Sequence, residues 1–239
     1  MRIAVVSDIH GNLTALEAVL ADLRQASPDL VLHGGDLADG GSSPAEVIDR
    51  IRDLGWQGVL GNTDEMLFRP ESLDEFASRS QAPPGLWTAV REMAAATRAA
   101  LGEERLAWLR RLSRTWIGTP LAVVHARPES LWRAPAPEAA DAELESIYSP
   151  LGQPVAVYGH IHRSFIRSLP GMTVANAGSA GLSYDGDPRA SYLLLEGAVP
   201  SIHRVEYDLD RETTALFRSG LPRADWVAKN LRCASPQLP

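Results

Sequence analysis

The chain is 239 residues long, 45% hydrophobic and 22% charged, an ordinary globular balance with length for a substantial core. Its net charge of −7, with no lysine or arginine stripe, argues against a nucleic-acid-binding surface; a phosphate substrate stays open, because bound divalent cations invert the local sign. A single cysteine, Cys233, excludes an intrachain disulfide and a thiolate metal cluster, and no apolar run reaches membrane-spanning length.

After Met1 the chain runs straight into RIAVVSD, without a charged segment leading into a long apolar one, so a cytoplasmic location is expected. Short apolar runs then recur: IAVV (3–6), LVL (30–32), VL (59–60), LAVV (121–124) and VAVY (155–158). Uninterrupted runs of this kind predict strands buried on both faces. Between the early ones, Leu13, Leu16, Val19, Leu20 and Leu23 keep one helical face apolar, and Pro44 opens the next helix. Strand and helix alternate, which predicts an α/β sheet. In residues 86–112, Trp87, Val90, Ala94, Thr97 and Leu101 recur at helical spacing, and Gly102 ends that helix before a second. This insertion is either a packing layer or a lid. Residues 134–143 start as a Pro/Ala loop and run into a helix. From residue 155 the strands SFIRSL, MTVAN, SYLLLE and SIHRVEY are joined by turns, Pro170-Gly171 and Asp185-Gly186-Asp187-Pro188 among them. They predict a second, more antiparallel sheet. No internal repeat or low-complexity linker divides the chain, so residues 1–239 are expected to form a single domain.

Chemistry concentrates where the apolar runs end. The first reaches Asp8 and His10 in SDIHGN, the second Asp36 in GGD, the third Asn62 in GNTD, the fourth His125, and the fifth His160 and His162 in GHIH. In an extended segment residues i and i+2 lie on one side, about 6.5–7 Å apart, so His160 and His162 can share a site. An isolated H-x-H also fits a strand end with two solvated imidazoles. The ordered set does not, because α/β sheets bind ligands beyond the carboxyl ends of their strands. Imidazole mixed with oxygen donors suits manganese, iron, zinc or nickel better than calcium. Two such ions need a shared anionic ligand, and Asp36, preceded by Gly34 and Gly35, fits that part. The H-x-H spacing then lets one imidazole serve each ion.

D-x-H, G-D, G-N-x-D, H and G-H-x-H in this order resemble the calcineurin-like metallophosphoesterases. NAGSAG (176–181) and DGDPRASYLLLE (185–196) resemble the tail of their small bacterial phosphodiesterase branch, so the likeness covers almost the whole chain. The resemblance implies a four-layer α/β/β/α sandwich with two mixed β-sheets. It implies one divalent ion on Asp8, His10, Asp36 and His162, and a second on Asp36, Asn62, His125 and His160. Asp36, Asn62, Asp64 and His125 form the expected catalytic set, with Asp64 orienting the site from behind. The implied reaction is hydrolysis of a small phosphate ester, most simply a diester, by in-line attack of a hydroxide shared by the metals. A protein or nucleotide monoester phosphatase is the alternative, and a non-catalytic scaffold on the same fold, such as the retromer subunit, is a third. The intact ligand set argues against the scaffold.

The sequence departs from the pattern at two places. Many relatives read G-N-H-[DE] at the third motif, and that histidine is thought to protonate the leaving group; here the residue is Thr63. His125 is followed by Ala126-Arg127-Pro128 where relatives usually show H-G. Arg127 is placed to reach a phosphate oxygen or to make a surface ion pair, and Asn12 to contact substrate or to cap a helix. His33 and His203 are expected to be structural. The sequence carries no signal for oligomeric state.

Overall fold

Successive residues of the first strand face different layers in the computed structural model, which describes residues 1–239. In β1 (Arg2–Val6), Ile3 and Val5 point into one apolar cluster while Ala4 and Val6 point into another. The period-two alternation of a strand thus buries both faces of β1. The other strands are β2 (Leu30–His33), β3 (Gln57–Gly58), β4 (Thr115–Gly118), β5 (Leu121–Val124), β6 (Val155–Tyr158), β7 (Phe165–Leu169), β8 (Met172–Asn176), β9 (Ala190–Glu196) and β10 (Val199–Val205).

They form two mixed five-stranded sheets, ordered β10-β9-β1-β2-β3 and β4-β5-β6-β8-β7. In the first, β1, β2 and β3 run parallel, and β9 pairs antiparallel with β1 in a register set by Ile3 opposite Leu195. In the second, β5, β6 and β8 run parallel between antiparallel β4 and β7. Val5, Leu32, Val123, Val157, Leu193 and Leu195 belong to the apolar cluster drawn from both sheets. On the outer face of the first sheet, α1 (Leu13–Ala26) and α2 (Pro44–Asp53) bury Leu16, Val19, Ile48 and Ile51 against Ala4 and Val6. On the outer face of the second, Leu144 and Tyr148 of α6 (Asp141–Tyr148) pack on Ala122, Ala156 and Val174. The result is a four-layer α/β/β/α sandwich.

The sheets are not divided where the sequence suggested. The second begins at β4, before residue 155, and SYLLLE and SIHRVEY return as β9 and β10 to the first. The reason is pairing: the edge of β1 away from β2 needs a partner, and β9 supplies it. The VL run at 59–60 lies just past β3, where Val59 makes an isolated bridge to Ser113.

Four further helices complete the chain beside α5: α3 (Asn62–Phe68), α4 (Glu71–Ala77), α7 (Leu209–Ser219) and α8 (Ala224–Cys233). The long α5 (Pro84–Leu109) is broken at Gly102, which adopts φ 68° and ψ 170°. Its Leu101, Leu106 and Leu109 enter the helix-side core, while Met93 packs with Leu216, Val227 and Leu231 of α7 and α8. No helix is long and apolar enough to cross a membrane.

Candidate metal centre

The carboxyl ends of β1, β2, β5 and β6 and the start of α3 converge on one point. Asp8 and His10 follow β1, Asp36 follows β2, Asn62 opens α3, His125 follows β5, and His160 and His162 follow β6. Their ligand atoms form two groups. Asp8, His10, Asp36 and His162 make one; Asp36, His125 and His160 make the other, so Asp36 is common to both, and within each group the atoms lie within 4.8 Å of one another. Asn62 joins the second group, its Oδ1 lying 2.9 Å from His125 Nε2 and 2.8 Å from His160 Nδ1. All seven residues are buried except His160, which is partly exposed.

The backbone is strained here. Asp8, His10, Asp36, His160 and His162 take φ values of 55°, 51°, 55°, 67° and 55°, in the left-handed region that side-chain-bearing residues rarely enter. Each such residue costs about 1–3 kcal/mol and persists only where the surroundings fix it. Only three other non-glycine residues share this conformation, so the strain is concentrated on the ligand set. Close packing accompanies it: a Cβ on Gly61 would collide with Asp36, and one on Gly159 with Asp8.

The hydrogen bonds make the site cation-shaped. His10 Nδ1 faces the Asp39 carbonyl at 2.6 Å and His162 Nδ1 faces the Leu182 carbonyl at 2.5 Å, so both nitrogens must donate. That tautomer leaves a lone pair on each Nε2, and these two atoms sit 3.1 Å apart. His125 Nδ1 likewise donates to the Gly34 carbonyl at 2.8 Å, which turns its Nε2 toward Asp36 Oδ2 at 3.4 Å. Lone pairs held this close repel unless a cation lies against them. The donor set therefore fits divalent metal, with His10, His125 and His162 each oriented by a backbone carbonyl.

The buried carboxylates and imidazoles shift one another in different directions. Burial alone would raise Asp36, but His125 and His10 hold its carboxyl well below the usual carboxylate range. Burial opposes protonation of His125, yet Asp36 and Asp8 pull its imidazole up to about 9. Burial and His125 keep His160 down at about 4.

A family model for the calcineurin-like phosphoesterase superfamily domain matches residues 1–198. The chain belongs to that superfamily. An uncharacterized protein of Methanocaldococcus jannaschii is 30% identical over 252 residues, covering 96% of each chain. The crystal structure of a metallophosphoesterase from Sphaerobacter thermophilus superposes with a TM-score of 0.80 at 25% identity, over 98% of this chain and 99% of the other. A hypothetical protein from Pyrococcus horikoshii shares the fold, with a TM-score of 0.85 at 19% identity over 99% of both chains.

In this phosphoesterase-family chain Asp64 is fully buried, and its carboxylate accepts from the N–H groups of Asp36, Leu37 and Gly61 at 2.8, 2.9 and 3.2 Å. Burial and the nearby Asp36 push Asp64 up to about 7, against the pull of those donors. Asp64 thus holds the loop that carries Asp36. The N–H of Thr63 donates to Asp36 Oδ1 at 2.9 Å. Asn12 caps α1, accepting from Ala15 N at 2.9 Å and donating to the Gly181 carbonyl at 2.9 Å, so both its polar atoms are engaged in the fold. Arg127 leans toward Glu143 at 3.5 Å and does not line the cavity over the cluster. His33 is buried in β2 with neither ring nitrogen hydrogen-bonded, and His203 stacks on Tyr192.

Sequence reasoning missed three contributors. Asp39 orients His10 through its carbonyl, Tyr184 stacks on His162 at 4.6 Å, and Ser179 Oγ donates to the Asp8 carbonyl at 2.6 Å. Only Ser179 had a sequence signal, within NAGSAG. The cluster opens into a cavity of about 430 Å³ lined also by Thr63 and aromatic residues.

Proposed function

We propose that the chain is a dinuclear metal-dependent phosphodiesterase. The observation that carries this reading is the position of Asp36, common to two groups of ligand atoms, in the first of which the Nε2 atoms of His10 and His162 face each other at 3.1 Å. Asp8, His10, Asp36 and His162 would hold one divalent ion, and Asp36, Asn62, His125 and His160 the other. Nitrogen and oxygen donors of this kind suit manganese, iron, zinc or nickel. When bound, such ions activate water and offset charge on phosphoryl oxygens.

The chain's own residues hold that chemistry in place. Backbone carbonyls of Asp39, Leu182 and Gly34 fix the tautomers of His10, His162 and His125. Asp64 fixes the Asp36 loop, and Tyr184 braces the His162 ring. Thr63 lines the cavity where a histidine would serve as proton donor. A threonine hydroxyl is no acid at neutral pH, so esters with good leaving groups are favoured. No lysine or arginine lines the cavity, which supports a singly charged diester over a doubly charged monoester.

The test is reconstitution with each metal, followed by assay of an aryl phosphodiester and the matching aryl phosphomonoester. Faster turnover of the diester, abolished by chelation, is the expected result. Faster turnover of the monoester would point to a phosphatase, and no turnover with any metal would point to a scaffold.

A further inference from the structure

The cavity over the cluster is not an open bowl of polar groups. Its 430 Å³ falls in the range of small-molecule sites. It is lined by His10, Asp36, Asn62, His160 and His162, with Tyr184 stacked on His162, and by the aromatic residues Phe76, Trp87, Trp132 and Trp226. The N-terminal half of α5, within the insertion noted in the sequence, supplies Leu86, Trp87, Val90 and Met93 to the lining.

The aromatic rings brace one another. Phe76 stacks on Trp132 with centroids 5.1 Å apart and 27° between planes, and meets Trp87 edge-on at 5.6 Å and 87°. The polar atoms along this wall are mostly spent internally. Trp132 Nε1 donates to Glu65 Oε2 at 3.2 Å, Trp226 Nε1 to the Gln237 carbonyl at 2.9 Å, and Asn230 bonds through both ends of its amide. Apart from the Tyr184 hydroxyl, the wall therefore presents rings rather than hydrogen-bonding groups. Apart from the candidate ligands, its one charged residue is Asp39, so nothing there would neutralise a second phosphate.

We infer that this cavity is the ester-group subsite of the phosphoesterase, taking a flat aromatic group on a substrate that carries a single phosphate. The inference rests on the phosphodiesterase reading. A nucleobase and a plain aryl group share the required chemistry, a π-face that stacks on indole and phenyl rings irrespective of its edge pattern. An alkyl chain would fill the volume without stacking, and a nucleoside polyphosphate would set its further phosphates against an uncompensated wall.

Binding separates these cases. Affinities of the manganese-loaded protein are measured by calorimetry for adenosine 5′-monophosphate, phenyl phosphate, hexyl phosphate and adenosine 5′-triphosphate. Both aromatic phosphates should bind at least about tenfold tighter than hexyl phosphate, a stacking-sized effect, and the triphosphate no tighter than the monophosphate. Adenosine monophosphate ahead of phenyl phosphate marks a nucleoside as the source, and parity marks a simple aryl group. Trp87→Leu and Trp132→Leu should each reduce the aromatic-to-alkyl ratio several-fold. Hexyl phosphate binding as well as the aromatic ligands, or a ratio that survives both substitutions, would overturn the inference. An intact aromatic preference with no ester hydrolysed would support the subsite and refute the hydrolase reading instead.

Discussion

Thr63 departs from the family pattern at the position where protonation of the leaving group would be decided. Its hydroxyl cannot replace an imidazole as acid, and general acid catalysis contributes about 10²–10⁴-fold where the departing oxygen is strongly basic. The parent should therefore show a steep dependence of rate on leaving-group pKa across aryl and alkyl esters. Thr63→His should flatten it, chiefly by speeding alkyl esters. A shallow slope in the parent would mean that another group already supplies the proton. His33 makes a second prediction at this scale. Burial holds its imidazole at about 4, against an ordinary value of 6.5. The folded state binds this proton less readily than the unfolded state, so stability is full above about pH 6.5, declines as pH falls, and levels off below about 4. Urea melts of chelated parent and His33→Leu should differ in pH slope over that window, by up to about 3 kcal/mol. Identical slopes would show that His33 is not the group responsible. The candidate ligands were legible because D-x-H and H-x-H set side chains at strand ends. Asp39 and Tyr184 were not, since one acts through a carbonyl that any residue offers and the other through a stack formed by loop folding.

Elements were legible where their periodicity was strong and local. The apolar face of α1 and the break at Gly102 follow from side-chain spacing and from the freedom of glycine at positive φ. Sheet membership was not legible, because SYLLLE carries no mark of its partner; only the open edge of β1 in three dimensions selects it. Asn12 ties two elements together, capping α1 and donating to the 176–181 loop that also clamps the carbonyl of Asp8. Asn12→Ala loses the cap and leaves the buried Gly181 carbonyl without this donor, which should lower stability by about 1–2 kcal/mol. Thermal melts of metal-free protein measure it, and an unchanged melting temperature would contradict the capping role.

At the scale of the molecule, two mixed sheets packed face to face bring the ends of their parallel strands to one place. One sheet and its helices deliver Asp8, His10, Asp36 and Asn62, and the other delivers His125, His160 and His162. Neither sheet alone holds a complete group, so the strain at five left-handed residues is sustained by contacts across the sandwich, such as the His160 N–H donating to Asp8 at 3.1 Å. The central claim is that this junction holds two ions through a shared Asp36. Elemental analysis of protein reconstituted with manganese and desalted tests it most directly, on the parent and on Asp36→Ala. Two equivalents per parent chain, with both sharply reduced in Asp36→Ala, is the predicted result. One equivalent or none in the parent, or full occupancy in Asp36→Ala, would contradict it.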